Sequence, residues 1–130
     1  MAEYLPLFTP GQASTHTTSE AITAGQMVAV SATGTVGIAG ANSLVWIGIA
    51  AFDAASGASV TVHRGGIQRP LTSGTVTAGD LVVCAAAGVV STLAAVSTHA
   101  DADITNTRAL VGVALTTATT GLAVEVLFER

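Results

Sequence analysis

The sequence predicts an all-β fold: a small β-sandwich or barrel built from two duplicated four-strand units, preceded by an extended N-terminal arm. Three observations predict it. The first is an apolar period of two rather than 3.6. In "LAVEVLFER", Leu122, Val124, Val126 and Phe128 share one face, with Glu125 and Glu129 on the other. In "ASVTVHR", Val60 and Val62 alternate with Thr61 and His63. Such strands bury one face, and their β-branched residues favour the pleated conformation. The second observation is that the chain repeats itself. "ITAGQMVAVSATGTV" (22–36) overlays "VTAGDLVVCAAAGVV" (76–90) at an offset of 54, with seven of fifteen positions identical. "WIGIAAFDAASGASVTV" (46–62) overlays "LVGVALTTATTGLAVEV" (110–126) at an offset of 64. The third is that no segment joins a cap, a 3.6-residue period and adequate length into a helix.

The elements follow in order. Residues 1–20 form the arm, and residues 21–130 form one β-domain. Within it lie copy one (about 22–64), a linker "GGIQRPLTSG" (65–74) and copy two (about 76–128). "TAG" at 23–25 and 77–79 is a tight turn that feeds the next strand. Gly34 and Gly88 end "SATG" and "AAAG", where a hairpin loop needs positive φ. Gly57 and Gly121 do the same one hairpin later. The offset grows by ten residues between the two overlays, and the extra residues fall in "STLAAVSTHADADITNTR" (91–108), a longer loop. Each copy yields about four short strands, so two copies give about eight. One copy cannot bury its apolar face alone, and two can cover each other. A chain of 130 residues buries about two-thirds of the surface its unfolded form exposes.

Composition narrows the function. Half of the residues are apolar but only five are aromatic, so the core is built from Val, Ile, Leu and Ala. Only 9% are charged, against about 25% in an average domain. Lysine is absent, and the four basic residues are Arg64, Arg69, Arg108 and Arg130. With a net charge of −4 and no basic run, nucleic-acid binding is not expected. Two readings account for the low charge. Other subunits cover much of the surface, or a GC-rich genome favours Ala, Gly and Arg. The N-terminus lacks a basic n-region and an apolar h-region, so a secretory signal is not expected. The most apolar stretch, 81–96, is shorter than the ~20 residues that span a bilayer, so no membrane partner is expected. Cys84 is the only cysteine and sits in an apolar run, where a thiol behaves as a small hydrophobe.

No enzyme is expected. "STHADAD" offers His99, Asp101 and Asp103, but it lacks the glycine and the closing glutamate of a calcium loop, and it reads as a solvated loop tip. His16 and His63 stand alone, without metal-ligand spacing. No nucleophile elbow or phosphate-cradling loop occurs, so neither metal nor cofactor is expected. The informative segment is the arm "MAEYLPLFTPGQ". Tyr4, Leu5, Leu7 and Phe8 are apolar, and Pro6 and Pro10 drive Leu5 and Thr9 out of the helical region. An extended apolar arm can add to a neighbour's sheet edge or fill a partner's groove. Its alternative is a first strand packed on its own domain. Trp46 aligns with Leu110. If Ile47 and Ile49 face the core, Trp46 faces out as an interface anchor. Equally, it can sit at the edge of the core.

Those stretches also carry a resemblance. "MAEYLPLFTPGQ", "ITAGQMVAV", "VWIGIAAFDAASGASVTVHRGGIQRP", "TAGDLVV" and "LVGVALTTATTGLAVEVLFER" together resemble the capsid decoration (cement) proteins of tailed bacteriophages, those of actinobacterial hosts in particular. The resemblance implies a structural virion protein, made in the host cytoplasm, that binds the outer surface of the capsid. Its partners would be the major capsid protein and itself as a homotrimer, and it would stabilise the mature shell by bridging capsomers. Tyr4, Leu5, Leu7, Phe8 and Trp46 are the candidate capsid or subunit contacts. Two other classes stay open: a tail or fibre component, and a β-sandwich module for a carbohydrate or host-surface ligand. The latter needs an exposed aromatic platform, for which Trp46 with Phe52 is the available pair.

Overall fold

Short runs of Val, Ile and Thr between glycine turns become ten strands in the computed structural model, which describes residues 13–94, 104 and 107–130. In chain order they are β1 (Ser14–Thr18), β2 (Met27–Ala32), β3 (Thr35–Ile38), β4 (Trp46–Ala50) and β5 (Ser59–His63). Then come β6 (Ile67–Gln68), β7 (Leu81–Cys84), β8 (Val90–Thr92), β9 (Leu110–Ala114) and β10 (Val126–Phe128). The first five close into a barrel in the order β1-β3-β2-β4-β5. The last five form a sheet in the order β6-β10-β9-β7-β8. The all-β expectation is met, as a barrel and a second sheet.

Each half holds five strands, not four. The fifth strand of the barrel, β1, comes from residues assigned from sequence to the arm. Its inward positions are polar: Ser14 and Thr18 are buried, so its alternation does not register as hydrophobic. β1 closes the barrel by pairing antiparallel with β5 and parallel with β3. Its counterpart β6 lies in the assigned linker and is only two residues long. Pro70, which has no N–H to give a ladder, follows after Arg69.

The offsets that align the sequence also align the bonds. Thr18 Oγ1 donates to the carbonyls of Ala55 and Ala58 at 2.6 and 3.2 Å. Thr72 Oγ1 donates to those of Thr119 and Leu122 at 2.7 and 3.2 Å. The parallel pair Thr18–Val36 corresponds to a single parallel bridge, Thr72–Val90. Read from β8, the second sheet runs 8-7-9-10-6, the order of the barrel read from β3. Gly34 and Gly88 both take positive φ, at 66° and 73°, as the hairpins require.

Each half fills its interior with aligned side chains. Ile22, Val28, Val36, Val60 and Val62 fill the barrel. Val76, Val82, Val90, Val124 and Val126 take the corresponding places in the second sheet. A third layer joins the halves, where Met27, Ala29, Ala39, Trp46 and Ile49 of the barrel meet Cys84 and Phe128. The hairpin tip after β7 locks this seam. Gln26 Nε2 donates to the Ala87 carbonyl at 3.1 Å, and the Gly88 N–H donates to the Ala39 carbonyl at 3.2 Å.

The seam explains Trp46. It is fully buried rather than on an outer face. In β4, Val28 pairs with Gly48 and Ala29 with Trp46, so Ile47 is an extra residue. That bulge breaks the period of two. Trp46 and Ile49 therefore point together into the seam, and Ile47 and Ala50 point into the barrel. The expectation that Ile47 and Ile49 share a face opposite Trp46 is corrected by one bulged residue. The Trp46 ring meets Phe128 edge-on at 5.4 Å, and Arg130 caps it at 4.7 Å from the ring centroid. Arg130 Nη1 also donates to the carbonyls of Leu44 and Trp46 at 3.1 and 2.7 Å.

Candidate interaction surfaces

Surfaces built to be covered should show as apolar side chains that the fold leaves in water. Two stand out.

The first lies across the second sheet. Ile67 pairs with Leu127, Leu127 with Val113 and Val113 with Leu81. Residues in register on neighbouring strands point the same way, so these four side chains form one row across β6, β10, β9 and β7. At roughly 4.8 Å per strand the row is about 14 Å long. Ile67 is 57% exposed, Leu127 47% and Leu81 45%, and Val113 is half-buried. The next row holds a polar rim, the Arg69–Glu125 ion pair at 3.4 Å. Both partners are well exposed, so the pair contributes little to stability.

The second is a cleft of about 300 Å³ on the barrel, lined by His16, Val30, Ile47, Arg64 and Arg130. β1 supplies His16, whose Nε2 lies 2.8 Å from Ser14 Oγ. Burial holds the His16 pKa below its usual value, and the nearby positive charge of Arg64 lowers it further. The floor is apolar, from Val30 and Ile47, and two of the chain's four arginines stand around it. The cleft offers hydrogen-bond donors and positive charge to a partner.

The residues singled out from sequence fall elsewhere. Tyr4, Leu5, Leu7 and Phe8 lie outside the described residues, as do His99, Asp101 and Asp103. Cys84 is buried in the seam, where burial pushes its thiol up to about 12 against a small opposing pull from Arg130. His63 is exposed on the outer side of β5. Trp46 is buried and Phe52 is exposed, so the two form no shared platform for a sugar ring. Among the described residues, no group of three or more His, Cys, Asp and Glu side chains could hold a metal ion. No helix among them is long and apolar enough to cross a membrane. Val30, Ile67, Leu81 and Leu127 were not singled out from sequence, because Val30, Leu81 and Leu127 read as ordinary strand residues and Ile67 falls in the assigned linker. Strand pairing is what sets them in one row or around one cleft.

Comparison with known proteins bears on the chain as a whole. Residues 8–129 match a family model described as phage cement protein. No curated protein matches the chain. Among solved structures, the head fiber gp8.5 N base in bacteriophage phi29 is similar, with a TM-score of 0.68 and 15% identity. The match covers 92% of this chain and 94% of that one. At that identity the likeness is one of fold.

Proposed function

Because the chain belongs to the phage cement protein family, we propose that it coats the outer surface of an assembled capsid as a homotrimer and bridges neighbouring capsomers in the mature shell. The observation that carries this reading is the family match across 8–129, nearly the whole chain. The exposed apolar row and the arginine-lined cleft support it, since a protein that works by contact needs faces to cover. So does the fold shared with the head fiber base. The protein acts as a structural part and carries out no reaction.

The physics is multivalent. A single contact can be weak, yet three subunits held together engage several shell subunits at high effective concentration. A ligand stabilises only the state it prefers, so the protein binds the expanded shell more tightly than the precursor. In this reading Tyr4, Leu5, Leu7 and Phe8 contact the shell. The actinobacterial type of phage is part of the same proposal.

Co-sedimentation with purified capsids lacking this protein tests it, comparing the full chain with a version lacking residues 2–12. Saturable binding by the full chain and loss of binding on truncation support both the role and the arm. Equal binding by both moves the contact to the β-domain. No binding by a folded full-length chain overturns the proposal.

A further inference from the structure

The two halves contact each other in a way that only one of them satisfies. In the barrel, Met27, Ala29, Trp46 and Ile49 are buried because the second half sits on them. By the offsets of 54 and 64 these four correspond to Leu81, Val83, Leu110 and Val113. Leu81 is 45% exposed, Leu110 and Val113 are half-buried, and Val83 alone is covered. The second half thus carries the same receiving face with little upon it.

The covering elements are repeated as well. The second half covers the barrel with Cys84, Phe128 and the hairpin tip at Ala87 and Gly88. Their counterparts in the first half are Val30, Arg64, Thr33 and Gly34. Val30 is 49% exposed, and Thr33 and Gly34 are fully on the surface. Val30 and Arg64 line the cleft. One half therefore presents an unused face and the other an unused tip.

We propose that these two surfaces meet between copies of this chain, the hairpin tip and Val30 of one copy seating on Leu81, Leu110 and Val113 of the next. The proposal rests on the self-association put forward above and assigns it a contact. The contact is head-to-tail, because the two patches differ. Such a contact closes into a ring when its rotation allows, and a trimer then uses three of them. Leu127 and Ile67 extend the receiving face along the row. One replacement sets the new contact apart from the seam. Arg64 stands where Phe128 stands, so the interface between copies is more polar and more sensitive to salt than the seam within a chain.

Crosslinking with mixed variants tests the assignment. A Cβ built on Gly88 lies 3.1 Å from Ile38 Cγ2 across the seam, and the corresponding pair between copies is Gly34 and Thr92. Thr33→Cys and Thr92→Cys place thiols at exposed positions beside that contact, and Cys84 is buried and stays silent. Each full-length variant is treated with a short bismaleimide alone and as an equal mixture, free and on shells. The expected product is a covalent pair of chains that forms in the mixture and not from either variant alone. Leu81→Glu is expected to reduce the sedimenting species to a single chain with unchanged Trp46 emission. If the wild-type protein associates but pairs form equally from one variant alone, or Leu81→Glu leaves the assembly intact, the head-to-tail contact is wrong and self-association stands. If the wild-type protein sediments as a single chain and no pair forms in either setting, both fail, and co-sedimentation with shells still reads the capsid role separately.

Discussion

Gly112→Ala should cost far more than its size suggests. Gly112 lies in β9 opposite Phe128 of β10. Its φ is not positive, so alanine brings no backbone strain of its own. The obstacle is space. An added Cβ would fall on the Leu127 carbonyl oxygen, with the Leu127 carbonyl carbon at 2.8 Å and Phe128 Cα at 3.2 Å. All three are backbone atoms of the paired strand, and none can rotate aside. β10 must move away, and it has only three residues to hold it. Overpacking costs about 1–3 kcal/mol, and each strand bond weakened adds about 1 kcal/mol. With one bond weakened the sum is about 2–4 kcal/mol, against about 6–20 kcal/mol for a domain of this length at about 0.05–0.15 kcal/mol per residue. At about 4 °C per kcal/mol, Tm should fall by about 8–16 °C. Two other glycines separate this cause from the usual one. Gly57→Ala has open space but a φ of +80°, and should cost about 1–2 kcal/mol. Gly40→Ala has open space and no positive φ, and should match the wild type or gain slightly. Thermal melts of the three variants side by side decide it. If Gly112→Ala melts within about 2 °C of Gly40→Ala, close strand approach does not constrain this sheet.

Four other outcomes are expected. Trp46 is the only tryptophan, so fluorescence reports on the seam: emission should be blue in the native state and unchanged when the protein binds shells, and a shift on binding would restore Trp46 as a contact. Thr18→Val and Thr72→Val should each cost about 1–2 kcal/mol in denaturant melts, and they should agree within error, because both hydroxyls bridge the same pair of carbonyls. The unfolded Cys84 thiol ionises near its ordinary value of 9.0 and the folded one at about 12, so its contribution is complete below 9.0 and lost as pH rises towards 12. The stability of wild type over Cys84→Ala should therefore shrink across that window, and a thiol reagent at pH 8 should react only after unfolding. The folded His16 has a lowered pKa, so its contribution is present above the unfolded value of 6.5 and lost as pH falls through the folded value. Its ring proton signals should titrate below 6.5, and a midpoint above that would contradict the burial of the cleft wall.

Much of this was legible in the sequence because the signals were local. The offsets between copies anticipated the turn glycines and the interior valines, and these rest on residue type and spacing alone. β1 was not legible. It points Ser14 and Thr18 inward, and the Thr18 hydroxyl is satisfied by the Ala55 and Ala58 carbonyls, which only the closed barrel supplies. The direction of Trp46, open in the sequence between an outer face and the edge of the core, was not legible for a related reason. A bulge at Ile47 has no residue signature, yet it turns every side chain beyond it to the other face. The contact surfaces were least legible. Leu81 and Met27 occupy aligned positions in similar surroundings, and only the packing of one half upon the other leaves the first in water and the second in the core.

The closure of the barrel also governs how the protein behaves when crowded. A sheet with free edges can recruit strands from any neighbour, and that route leads to fibres. Here the first five strands have no edge at all, since β1 pairs on both sides. The edges of the second sheet are β6 and β8, two and three residues long, and the Thr72–Val90 bridge ties the segment that follows β6 to the start of β8. Among the described residues, the barrel can thus be packed densely while its backbone stays closed to strand exchange, the second sheet offers only two short edges, and growth through side-chain faces stops when those faces are filled.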